Sequence, residues 1–183
     1  MQKRQRLALA AAVGIAAAGV AVTPAFAGDT AATFTLSGNP SGLTVSVPDG
    51  SVTPISLGSG NAGDASLAGQ LGNVTVTDTR GALTASWTAT VSSTNFTTGT
   101  ATAQETVAKA NISYSSGVST NLLSGQVGAF TPSVGVTLGS AKTAGSWLGV
   151  GNNTVKWNPT LTFTLQTAQV AGTYSGTVTH SVA

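Results

Sequence analysis

The sequence predicts an all-β protein, an antiparallel β-sandwich of Ig-like or Greek-key type. Three observations predict it. Thr, Ser, Val, Gly and Ala dominate the chain, and Thr and Val favour half-buried pleated surfaces. Apolar and polar residues alternate with period two in LTVSV, NVTVTDT and TLTFTL, the pattern of strands with one face on a core. Clusters of Gly, Asn, Pro and Ser interrupt these runs at short intervals, which suits many short strands.

The N-terminus, MQKRQRLALAAAVGIAAAGVAVTPAFAGD, is the exception to this pattern. Lys3, Arg4 and Arg6 precede an apolar run over 7–22, and Ala25-Phe26-Ala27 places small residues before a cut. That is the layout of a secretory signal peptide over 1–27. The run of 16 residues is short against the roughly 20 needed to span a bilayer. Cleavage after Ala27 leaves 28–183 as a single domain, large enough to bury a core, with no membrane segment. With no cysteine, that domain must hold by packing and sheet hydrogen bonds alone.

Expected strands follow at 32–36, 43–47, 72–78, 85–92, 111–115, 134–137, 154–157, 160–165 and 173–182. The segment 58–70 (GSGNAGDASLAGQ) reads as a long loop. TAQETVAK, 102–109, reads as a loop with one turn, since eight residues make a marginal helix.

The aromatic residues carry the candidate roles. Trp87 alternates with Ala89 and Val91, while Thr88, Thr90 and Ser92 take the other face, so Trp87 reads as core. Trp157 precedes Asn158-Pro159. Pro159 cannot donate to a ladder, so a bulge or strand switch is expected, with Trp157 capping the sandwich end. Trp147 lies between glycines in what reads as a loop; it reads first as half-buried packing and, because binding residues concentrate in loops, is also a candidate ligand contact. Tyr174, in the last strand-like run, is a second. Arg80 is a third. It follows the strand ending at Asp78, with which it is expected to pair at the surface of a turn. It is the only arginine left after cleavage, and its planar fork suits a carboxylate.

Catalytic chemistry finds little material. His180 is the only histidine, the five acidic residues are scattered, and no nucleophile elbow, zinc motif or phosphate loop occurs. The expectation is a protein that is not an enzyme and uses no cofactor and no metal. After cleavage four basic residues face five acidic ones, a net charge of −1, which offers no basic surface for nucleic acid or for anionic membranes.

Three stretches carry a family resemblance: LGNVTVTDTRG, SWTATVSSTNF and the ending WNPTLTFTLQTAQVAGTYSGTVTHSVA. Together they resemble the WxL domain of Gram-positive surface proteins, in a diverged actinobacterial form, over most of 30–183. The first Trp-x-Leu motif stands here as Trp87-Thr88-Ala89, and His180-Ser181-Val182 occupies the place of the second. The resemblance implies a secreted, cell-surface or cell-wall-associated protein held without covalent bonds by contact with peptidoglycan. Its partners would be cell-wall polymer or other surface proteins. Two rivals stand beside this reading. One is a self-assembling surface subunit that uses the nearly uncharged C-terminal strand 173–182 for strand addition. The other is a secreted carbohydrate-binding module.

Overall fold

The computed structural model describes residues 33–50 and 54–183, so the expected signal peptide at 1–27 lies outside the described residues. The described residues form fourteen strands: β1 (Leu43–Ser46), β2 (Ser66–Gln70), β3 (Val74–Asp78), β4 (Ala85–Ser93), β5 (Phe96–Thr97), β6 (Thr106–Val107), β7 (Ile112–Ser115), β8 (Ser119–Asn121), β9 (Val127–Pro132), β10 (Val136–Thr137), β11 (Lys142–Val150), β12 (Asn153–Trp157), β13 (Thr160–Thr164) and β14 (Val178–Val182). Every pairing is antiparallel, and the sheets pack against each other as an all-β sandwich.

One layer is bent. Its two halves, β1-β3-β12-β8 and β10-β7-β13-β2, exchange chain along a common line. There β2 passes into β3 at Gly72, β7 into β8 at Gly117, and β12 into β13 at Asn158-Pro159. Gly72 and Gly117 take φ of 92° and 74°, a region open to glycine but costly for other residues. The line is stitched from one strand pair to the next. Leu71 N–H donates to Pro159 O at 2.9 Å, and Gly72 N–H to Asn158 Oδ1 at 3.0 Å. The strand switch expected from Pro159 is therefore present, and it involves three strands rather than one.

The opposite layer has the order β14-β4-β11-β9, in which no neighbours are consecutive in sequence. Alternation fixes its register. In β4, Trp87, Ala89 and Val91 point inward while Ser86 and Thr88 are exposed, as period two demands. The core between the layers holds Val74, Val76, Val155 and Trp157 from one side and Trp87, Val91 and Trp147 from the other.

Several expected elements are corrected. Residues 33–36 carry no strand, and Phe34 and Leu36 are 86% and 87% exposed. The expected loop 58–70 contains β2, whose small residues SLAGQ gain strand geometry by pairing with TLTFT of β13. The expected last strand is shorter, Val178–Val182, because residues 173–177 make only an isolated bridge from Ser175 to Thr97. The segment 102–109 gives a short 3₁₀ turn, Ala103–Glu105, then β6 and the start of a second turn. Glu105 caps the first turn by accepting from the backbone and hydroxyl of Thr102 at 3.0 and 2.9 Å.

Candidate functional site

Of the three expected contact residues, Trp147 is buried and Arg80 is engaged by an ion pair. Trp147 is not in a loop. It lies in β11, which is paired on both sides, and is 2% exposed. It stands in register with Trp87 of β4 and Phe130 of β9, a row of three rings facing inward. The glycines around it make room for rings instead of turns. A Cβ at Gly145 would strike the Phe130 ring, and one at Gly128 or Gly149 the Trp147 ring. Trp157 comes from the bent layer to meet this row. It stacks on Phe130 at 5.0 Å and lies 6.4 Å from Trp87. At 1% exposed it is central core, a correction to the expected cap at the sandwich end.

Arg80 is also committed. Its Nε and Nη2 donate to Asp78 Oδ1 and Oδ2 at 2.9 and 2.8 Å, and Nη2 also donates to Ser86 O at 2.8 Å. The pairing with Asp78 was legible, but its position was not: Asp78 is fully buried. Asn153 of β12 lies opposite Asp78 and helps lower its pKa, while its Oδ1 accepts from Trp87 Nε1 at 2.8 Å. A chain of polar groups thus runs from the Arg80 guanidinium to the Trp87 indole. The Arg80 hydrogen bonds hold the Asp78 carboxyl below its ordinary value. Arg80→Met is expected to cost about 2 kcal/mol, because it leaves a buried carboxylate short of donors. A urea titration at pH 7 measures it, and an unchanged midpoint would show that the pair contributes nothing.

His180 occupies a second buried node. It faces Val91 of β4 from β14, and two residues on Val182 faces Ala89. Residues 87–89 and 180–182 are therefore neighbours on adjacent strands. His180 Nε2 lies 3.2 Å from the Tyr114 hydroxyl, which also accepts from Trp157 Nε1 at 2.8 Å. Burial pushes Tyr114 up to about 12 and His180 down to about 4. His180 Nδ1 and Trp147 Nε1 are buried without a hydrogen-bond partner among the described residues.

Among the described residues, two surfaces could meet other molecules. The first is the outer face of the β14-β4-β11-β9 layer. Register places Thr131, Ser146 and Thr88 in one row, Thr143, Thr90 and Ser181 in the next, and Ser92 beside Thr179 in a third. These eight hydroxyls form an uncharged grid. The sequence exposed its β4 and β14 hydroxyls, but Thr131, Thr143 and Ser146 depended on β9 and β11, which lacked a legible strand pattern. The second surface is an apolar groove of about 1150 Å³ at the far end of the sandwich from Arg80. Phe96 and Phe163, edge to face at 4.9 Å, underlie it with Leu67 and Val107. Its walls are main-chain-rich segments, 54–63 on one side and 169–178 on the other. Tyr174, the third expected contact, lines this groove, and its hydroxyl donates to Val170 O at 2.8 Å.

No family model, no curated protein and no solved structure matches the chain. What the surfaces can do therefore rests on their own chemistry. Among the described residues no group of three or more His, Asp or Glu side chains could hold a metal ion, and no helix is long and apolar enough to cross a membrane. The grid offers many weak neutral hydrogen bonds, and the groove offers an apolar floor.

Proposed function

We propose that the chain is a secreted, non-catalytic surface protein of WxL-like type, retained at the cell wall by non-covalent contact with peptidoglycan. The hydroxyl grid carries this reading. A sheet face with eight hydroxyls in neighbouring register rows and none of the chain's charged side chains among them matches a hydroxyl- and amide-rich polymer better than it matches an ionic partner. The adjacency of Trp87-Thr88-Ala89 and His180-Ser181-Val182 on paired strands supports the family reading, since both motif segments then belong to one structural unit. The buried tryptophans pack behind this face, and polymer contact falls to Thr and Ser.

Co-sedimentation with purified peptidoglycan sacculi tests it. The unmodified protein is expected in the pellet. Thr88→Glu combined with Thr179→Glu places charge on two exposed grid positions and is expected to lower retention at least tenfold, with the thermal midpoint unchanged. Equal retention of the variant would remove the grid from the reading. Absence of the unmodified protein from the pellet would remove the wall.

A further inference from the structure

β14 turns His180 into the core and Thr179 and Ser181 outward, so one short strand joins a buried imidazole to two hydroxyls of the grid. It is also the edge of its sheet, paired with β4 and with no other strand among the described residues. Its hold on the body comes from that ladder, from the Thr90–Ser181 hydroxyl pair at 2.7 Å and from its inward side chains. Just before it the chain is pinned separately. Thr94 N–H donates to Thr177 O at 3.0 Å, and Ser175 and Thr97 exchange both main-chain hydrogen bonds at 3.0 Å. The strand can therefore leave β4 while residues 175–177 keep their place.

The site under the strand suits only the neutral ring. The Tyr114 hydroxyl takes the Trp157 indole N–H at 2.8 Å, which leaves its own proton for His180 Nε2 at 3.2 Å. Trp157, Tyr114 and His180 thus form a one-way donor chain that ends on Nε2. Protonation puts N–H on both ring nitrogens. The hydroxyl proton then loses its acceptor, and Nδ1, without a partner among the described residues, carries part of a buried charge. No anion stands ready for it. β1, which packs against β14, contains no Asp or Glu, and neither do β4, β7, β11 and β14. The other ionisable groups on these strands and on the facing β3 and β12 are few. Tyr114 is the hydroxyl already described. Lys142 of β11 is exposed and in register with Val91, and Lys156 alternates with the inward Val155 and Trp157. Asp78, at the end of β3, is engaged by Arg80. Burial holds the His180 ring at about 4, so the conflict arises in mildly acidic solution.

We propose that β14 is an acid-released latch: protonated His180 leaves the core and takes the strand off β4 while the rest of the sandwich stays folded, which withdraws Thr179 and Ser181 from the grid. An edge strand with one neighbour is where local opening costs least. Thr90 loses its Ser181 partner at the same time, and retention at the wall becomes pH-dependent. That last consequence rests on the grid reading; the opening of the strand does not.

Hydrogen exchange of the unmodified protein, read by mass spectrometry, tests the latch. Protection of amides 178–183, corrected for the intrinsic rate, is expected to fall at least tenfold from pH 7 to pH 4.5. Exchange there is expected to ignore about 1 M urea, while that of Asn153–Trp157 in β12 accelerates. His180→Gln is expected to keep its protection over the same pH range. A urea response in 178–183 equal to that in β12 would make the opening global, and an equal fall in His180→Gln would assign it to another group. Either result overturns the latch. Co-sedimentation with sacculi then reads the grid. Retention of the unmodified protein is expected to drop at least tenfold from pH 7 to pH 4.5, and that of His180→Gln to hold. A parallel drop in both proteins, the signature of titration of the wall itself, would overturn the coupling to the grid. Absence of retention at pH 7 would remove the wall reading and that coupling with it, and the exchange result would still decide the latch.

Discussion

Trp157→Ala is expected to destabilise the protein by about 4 kcal/mol, the range for deleting a fully buried large aromatic. Trp157 meets rings from two strands of the opposite layer, Phe130 at 5.0 Å and Trp87 at 6.4 Å. Its removal opens a cavity that neither layer can close, because Trp87 is held through Nε1 by Asn153 and Gly145 already sits against the Phe130 ring. It also removes the indole N–H that donates to Tyr114. For a domain of this size the loss corresponds to a fall in thermal midpoint of roughly 10 °C. Trp157→Phe separates the two contributions. It keeps most of the ring packing and loses the hydrogen bond, so about 1–2 kcal/mol of the loss is expected to remain. Urea unfolding of the three proteins measures both steps. A loss under 1 kcal/mol in Trp157→Ala would mean that the two layers do not meet at this ring.

The other two tryptophans show how far the sequence could be read. Alternation around Trp87 gave its strand, its inward face and the hydroxyl row behind it, because β4 alternates without a break for nine residues. Trp147 has an equal role in β11; its packing was legible but its strand was not, because Gly145 and Gly149 resemble turn residues until the rings that need their space are known. β2 and β9 were missed for a related reason. SLAGQ and VGAFTP have weak intrinsic strand character and owe their geometry to β13 and β11 beside them. Asp78 and Arg80 are two residues apart, so their pairing was legible. Asn153, which helps bury Asp78, comes from 75 positions later in the chain, and only topology puts it there. The grid and the groove share this dependence, since each is made from segments that only long-range pairing brings together.

Acidification is expected to remove about 3 kcal/mol of stability between pH 6.5 and pH 4 through His180 alone. The folded protein holds this imidazole at about 4, against 6.5 for an ordinary histidine, because burial disfavours the charged ring. Nδ1 faces no acceptor among the described residues, so the imidazolium would carry an orphaned N–H in the core. Between the two values the unfolded chain binds a proton that the folded chain refuses. Stability is therefore complete above pH 6.5, declines as pH falls, and the His180 contribution is gone once pH passes below about 4. Asp78 takes over from there. Its folded value lies below the ordinary 3.8, so its contribution is present above that value and is lost as pH falls through the depressed one. Unfolding free energy measured by urea at steps from pH 8 to pH 3 should fall in two successive stages. His180→Gln retains a partner for the Tyr114 hydroxyl and has no proton to gain, so it should flatten the upper stage and leave the lower one intact. A His180→Gln curve that runs parallel to the unmodified protein from pH 6.5 to pH 4 would show that the imidazole is not protected in the folded state, and that β14 does not seal the core over Tyr114.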